Sequence, residues 1–128
     1  MKYLLDSVIL IDHCNGIEAA TCFLAEHGSA CALSVITRAE VLAGFDDDAM
    51  ELALELLDQF PALPITTDIA DRAARLRHSE RWKLPDALQA AVAMQHGLSL
   101  VTRNAKDFRS GGELEVLVPY RLGDQPLA

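Results

Sequence analysis

Four carboxylates, far apart along the chain, stand at or within reach of the ends of predicted elements: Asp6 after "KYLL", Glu40 about a turn and a half into the helix of "SVITRAEVLAG", Asp86 in "LPDALQ" and Asp107 in "TRNAKDF". Asp6 interrupts the nearly unbroken apolar run "YLLDSVILID", where an ionised group is costly unless something pairs with it. Carboxylates gathered at one spot repel one another and raise each other's pKa unless a cation sits among them. Oxygen donors with no Cys/His pattern beside them suit Mg²⁺ or Mn²⁺ over zinc. Such an ion binds phosphate oxygens and acidifies a water, so the chemistry in view is phosphodiester hydrolysis.

The elements must bring those four together. "KYLLD" reads as a short buried strand, "IEAATCFLAEHG" as a helix with Gly28 as its C-cap, and "ACALS" as a second strand whose Ser34 caps "VITRAEVLAGF". A helix is expected from about Ala49 to Phe60, stopped by Pro61, then a third strand in "LPIT" and a helix "IADRAARLRHSERW" capped by Thr67 or Asp68. "LPDALQAAVAMQHG" reads as an alanine-rich helix opened by Pro85 and Asp86, closed by Gly97 and packed closely between layers. "LSLVT" and "LEVLVP" complete five strands. Strands alternating with helices predict an α/β fold, a central parallel β-sheet flanked by helices on both faces. Ligands of such sheets bind beyond the carboxyl ends of the strands, which is where Asp6, the start of the Glu40 helix and Asp107 fall.

Each acid has an ordinary explanation when taken alone. Asp6 and Asp86 suit helix caps, Glu40 a solvated helix face, and Asp107 a turn. The apolar neighbours of Glu40, namely Ala39, Val41, Leu42 and Ala43, argue against a wet face. Four acids expected at one sheet edge are harder to explain separately.

At 128 residues, 51% hydrophobic and 23% charged, the chain has the size and composition of one globular domain over residues 1–128. No repeat or linker-like run appears. No membrane span is expected, and "MKYLLDSV" lacks the features of a secretory signal, so a cytoplasmic setting is expected. Cys14, Cys22 and Cys31 have no metal-site spacing and are expected as buried free thiols. The net charge of −8 argues against a nucleic-acid partner at long range. Part of it is local, since "DDDAMELALELLD" holds six acids and no base. A metal in the acidic cluster reverses the sign where it matters. Arg38, Arg103, Lys106 and Arg109, in or beside strand-end segments, are candidate contacts to a substrate backbone.

"LLDSVILID", "SVITRAEVLAG", "LPDALQAAVAMQHGLSLVTRNAKDF" and "VLVPY", in this order and spacing from Lys2 to Tyr120, resemble the PIN-domain ribonucleases, most closely the VapC-type toxins of toxin–antitoxin pairs. The resemblance implies a PIN-like three-layer fold and a Mg²⁺- or Mn²⁺-dependent endoribonuclease acting on RNA. It also implies a cognate antitoxin that inserts a basic side chain into the acidic pocket, a homodimer and a larger toxin–antitoxin complex. It gives Asp6, Glu40, Asp86 and Asp107 as catalytic metal ligands, with Ser7, Thr102 and Asn104 as supports. Whether Asp107 or Asn104 faces the metal is left open. Val8 stands where many relatives have Asn or Ser, removing one supporting hydrogen bond.

Three other readings compete. A flap or RNA-maturation nuclease of PIN type tends to need additional domains. A haloacid-dehalogenase phosphatase needs an Asp at position 8, and a receiver domain needs a phosphoacceptor Asp on the third strand; neither is present. A non-catalytic PIN-fold binding module shares the same fold but lacks the activity.

Overall fold

The computed structural model describes residues 1–108 and 112–123. Strands β1 (Tyr3–Leu5), β2 (Cys31–Ser34), β3 (Ala62–Leu63), β4 (Ser99–Val101) and β5 (Val116–Leu117) form one sheet in the order β3-β2-β1-β4-β5, every pairing parallel. Among the described residues six helices connect them: α1 (Ser7–Cys14), α2 (Glu18–His27), α3 (Val35–Ala43), α4 (Asp47–Leu57), α5 (Thr67–Glu80) and α6 (Leu84–His96). β1 has β2 on one side and β4 on the other. The chain therefore winds outward in both directions from β1, and the crevice beyond the carboxyl ends of β1 and β4 is the place where such sheets take ligands.

The two-residue side-chain period of a strand divides the core in two. Leu4, Ala32 and Leu100 face the α5–α6 layer, with Ile69, Ala73, Trp82 and Val92, whereas Leu5, Cys31, Leu33 and Val101 face the α1–α4 layer, with Ile9, Leu10, Val41 and Leu57. The α/β, three-layer expectation holds. Helix α6 is buried along Ala87 and Gln89–Ala93, because four alanines leave little side chain between its backbone and its neighbours. Gly97 ends it at φ 65, a left-handed C-cap where a side chain would be strained.

A buried polar network joins the layers. Ser34 Oγ donates to Gln89 Oε1, and Gln89 Nε2 donates to Thr37 Oγ1. Thr37 Oγ1 in turn donates to the Leu5 carbonyl at 3.2 Å, while Ser34 Oγ accepts from Thr37 N at 3.1 Å. All three side chains are at most 1% exposed, so each bond forms where water cannot substitute for it. The network connects β1, the β2–α3 junction and α6, directly beside the segments that carry Asp6, Glu40 and Asp86.

Several boundaries differ from the sequence reading. Helix α1 is not announced by its β-branched apolar pattern; burial of Ile9 and Leu10 and the Asp6 cap override propensity. "LPIT" is not the strand. Ala62 and Leu63 pair with β2, and Pro64 has no N–H with which to continue the ladder. The cap of α5 is Thr66, whose hydroxyl accepts from Ile69 N, not Thr67 or Asp68. Helix α4 begins earlier than Ala49, capped by Asp46, and ends at Leu57. Gly28 keeps right-handed torsions and runs into a short 3-10 turn. Only Cys31 of the three thiols is buried; Cys14 and Cys22 are exposed, since they lie at the end of α1 and on the outer face of α2. Burial pushes the Cys31 thiol up to about 11. No described helix alone is long and apolar enough to cross a membrane.

Replacing Gln89 by Leu strands the buried Ser34 hydroxyl, and we expect about 2 kcal/mol of lost stability in urea denaturation. Unchanged stability would show that the network contributes nothing net.

Candidate active site at the ends of β1 and β4

Asp6 sits between strand and helix and serves both. Its backbone N–H donates to the Val101 carbonyl at 2.9 Å, which sets it beside β4. Its Oδ1 caps α1 by accepting from Ser7 N at 2.9 Å, and its Oδ2 accepts from Thr102 Oγ1 at 2.7 Å. Thr102 is fully buried, and its hydroxyl accepts from Asn104 N at 3.1 Å. The relay Asn104 N–H, Thr102 O–H, Asp6 carboxylate fixes the acid in one orientation. Ser7 and Thr102 thus contact the Asp6 carboxylate, and Asn104 reaches Thr102 through its backbone.

Glu40 and Asp86 both feel the charge of Asp6, and Asp107 acts on Asp86. Glu40 lies one helical turn beyond Thr37. Partial burial, then the charge of Asp6, pushes its carboxyl above the ordinary value; a Ser7 side-chain hydrogen bond pulls it back and Asp86 adds to the rise. Asp86 is not the cap of α6. Lys83 takes the cap position without a side-chain bond, and Asp86 lies in the first turn. Its carboxyl is raised by burial first, then by the charges of Asp107 and Asp6, against the pull of Lys83. Asp107, exposed on the 3-10 turn Ala105–Phe108, is therefore close enough to act on Asp86.

Among the described residues, no three acidic, histidine or cysteine side chains form a ready-made cage for a metal ion. Mutual repulsion keeps such carboxylates apart, and Mg²⁺ characteristically retains several waters and takes one or two carboxylates directly. The oxygen-only donor set and the coupled, cation-deficient charges fit an ion of that kind.

The PIN domain family model matches residues 3–113. The chain belongs to the PIN family. It is 35% identical over 112 residues to Ribonuclease VapC10 of Mycobacterium tuberculosis, covering 82% of this chain and 84% of that protein. A chain of a toxin–antitoxin complex from Klebsiella pneumoniae superposes with TM-score 0.81 at 36% identity, covering 94% of this chain and 100% of that one. VapBC2 of Rickettsia felis, solved bound to a DNA fragment from its promoter, shares the fold with TM-score 0.79 at 21% identity, over 91% and 98% of the two chains.

The PIN domain holds a further buried acid that sequence reasoning passed over. Asp12, on α1 and 5% exposed, accepts from Arg103 Nε at 2.6 Å and Nη2 at 3.0 Å, and from the Tyr120 hydroxyl at 2.8 Å. Burial and the Asp12 hydrogen bond push the Tyr120 phenol up. The signal was present in the sequence, since Asp12 closes the same apolar run as Asp6. Arg103, expected at the substrate, thus has its guanidinium fork engaged by Asp12, which is charge-paired where Asp6 is not. Arg38 likewise donates to Asp58 at 2.9 Å. Lys106 is exposed, and Arg109 lies outside the described residues.

Two measurements probe this division of labour. Because its raised carboxyl makes the folded PIN domain hold a proton more tightly than the unfolded chain, Glu40 costs stability as pH rises through its folded value, fully so above it. We expect Glu40→Gln to raise the melting temperature at about pH 8, with the gain shrinking as pH falls toward about 4. A pH-independent gain would refute the raised Glu40 carboxyl. Asp12→Ala, which leaves Arg103 unpaired in a mostly buried position, should cost about 3 kcal/mol in urea titration. A loss no larger than that of an exposed acid would make the clasp incidental.

Proposed function

We propose that this PIN domain is a Mg²⁺- or Mn²⁺-dependent endoribonuclease, the toxin of a type II toxin–antitoxin pair restrained by a cognate antitoxin. The observation that carries the reading is the linked set of acids beyond the ends of β1 and β4: the charges of Asp6 and Asp86 act on Glu40, and those of Asp107 and Asp6 act on Asp86, with Lys83 pulling the other way at Asp86. The 35% identity to a ribonuclease and the 36% identity to a chain of a toxin–antitoxin complex support it. Those four carboxylates would hold the ion, with Asp107 preferred over Asn104 because its charge is felt at Asp86 and Asn104 supports Thr102 through its backbone. A divalent ion bound there supplies Lewis acidity toward a phosphate oxygen and acidifies a water for attack on phosphorus.

The chain's own residues do the positioning. Thr102 and the Ser7 N–H hold both oxygens of Asp6, so its lone pairs are presented in a fixed direction. The Ser7 side chain hydrogen-bonds Glu40. Removing water from around Glu40 and Asp86 strengthens every interaction those carboxylates make with a cation. A net charge of −8 favours a basic antitoxin segment over the acidic site. A homodimer within a larger complex, acting in the cytoplasm, completes the reading.

The test is cleavage of single-stranded RNA with Mg²⁺ or Mn²⁺, and its loss on adding EDTA. Asp6→Asn should abolish cleavage and Asp86→Asn lower it, both with folding retained. Thr102→Val, removing only the supporting hydroxyl, should lose about 10- to 100-fold. Full activity in folded Asp6→Asn would overturn the proposal, and absence of cleavage by the wild type would favour a binding module instead.

A further inference from the structure

Two of the four cations the sequence offered as substrate contacts are engaged elsewhere, Arg38 by Asp58 and Arg103 by Asp12. A net anion that handles RNA needs a local positive region to receive the phosphates, and one stands at the turn between α5 and α6. Residues 67–83 hold five of the chain's eleven Lys and Arg against three acids. Arg77, His78, Arg81 and Lys83 are exposed there, and among the described residues no carboxylate is within ion-pair distance of any of them. Arg77, His78 and Arg81 line, with Ala74 and the half-exposed Leu84, an open groove of about 600 Å³.

The turn is built to hold that arrangement. Arg81 stands at φ 61, the one non-glycine residue with a left-handed backbone among those described. Its N–H caps α5 by donating to the Arg77 carbonyl at 3.0 Å, and Arg77 Nη1 donates to the Trp82 carbonyl at 2.9 Å. The indole of Trp82 is buried, edge to face with Phe108 at 5.5 Å between ring centroids. Phe108 closes the short turn that carries Asp107. One aromatic contact therefore fixes the basic turn to the acidic site, and only three residues separate α5 from the helix that carries Asp86 in its first turn. A non-glycine residue in the left-handed region is disfavoured, so the charge at Arg81 is kept where a glycine would fit the backbone better.

We infer that the α5–α6 turn is the track for the phosphate backbone of a single-stranded RNA, with Arg81 and Lys83 as phosphate contacts that lead the strand to the carboxylates. The inference rests on the ribonuclease reading and names the surface that delivers its substrate. Contacts of this kind are indifferent to base identity, so the track adds affinity for any strand and leaves the choice of cleavage sequence to other surfaces.

The experiment measures binding of a fluorescein-labelled single-stranded RNA of mixed sequence by anisotropy, using the full chain with Asp6→Asn to block cleavage. It compares that parent with Arg81→Gly, Lys83→Gln and the two combined. Each lost phosphate contact should flatten the plot of log affinity against log salt by about 0.7. Between about 50 and 200 mM salt the parent should therefore lose about sevenfold more affinity than the double variant. Arg81→Gly should melt no lower than the parent, because glycine suits the left-handed position, so a weaker affinity in that variant is not a folding defect. Equal salt slopes in parent and double variant, with the wild type still cleaving RNA, would overturn the track and leave the nuclease standing. No binding by the parent and no cleavage by the wild type would remove both. Weakened binding of polyglutamate with unchanged binding of RNA would overturn the track in favour of an acidic protein partner.

Discussion

The geometry of the site depends on a buried amide. Gln89 reaches from α6 to Ser34 and Thr37, 55 and 52 residues away along the chain, and through Thr37 to the Leu5 carbonyl. An amide oxygen only accepts and an amide nitrogen only donates, so the two hydroxyls read Gln89 in one sense and the three elements lock in one register. Asp6 follows Leu5, Glu40 follows Thr37 by one turn, and Asp86 precedes Gln89 by one turn. The network is thus the floor on which three of the four acids stand, and their mutual approach is fixed without any contact among the acids themselves.

The protein uses its carboxylates in two opposed ways. Asp12 is buried, forked by Arg103 and bonded by Tyr120, so its charge is satisfied and ties α1 to the segments after β4 and β5. Among the described residues Asp6, Glu40, Asp86 and Asp107 have no such fork, and Glu40 and Asp86 are pushed toward their protonated forms by burial and by neighbouring carboxylates, Lys83 offsetting part of this at Asp86. A cluster of that kind is unfavourable for the fold and favourable for a cation. The two acids of one apolar run, Asp6 and Asp12, mark the difference between a site and a clasp.

Much of this was legible in the sequence. Alternating strands and helices gave the parallel sheet, and the rule about strand ends put Asp6, Glu40 and Asp107 at one edge. Ser34 as a cap, Gly97 as a stop and the close packing of the alanine-rich helix also hold. What escaped was long-range pairing. Nothing local distinguishes Gln89 from a surface glutamine, Asp12 from a second helix acid, or Arg103 from a substrate contact, because each is defined by a partner more than fifty residues away. Helix α1 escaped for a related reason, since its apolar, β-branched composition is set by what it packs against. The basic stretch of α5 was visible only as helical charge until the turn after it set Arg77, His78 and Arg81 around one groove, with Lys83 acting on Asp86.

Both outer strands of the sheet are two residues long, and prolines flank them: Pro61 and Pro64 around β3, Pro119 just past β5. Each margin therefore offers very few unsatisfied amide groups, and proline supplies none. Lateral growth of the sheet by adding a foreign strand finds almost no ladder to extend. The surfaces left to meet another polypeptide are mainly helical, where side-chain identity rather than main-chain hydrogen bonding sets which molecules fit.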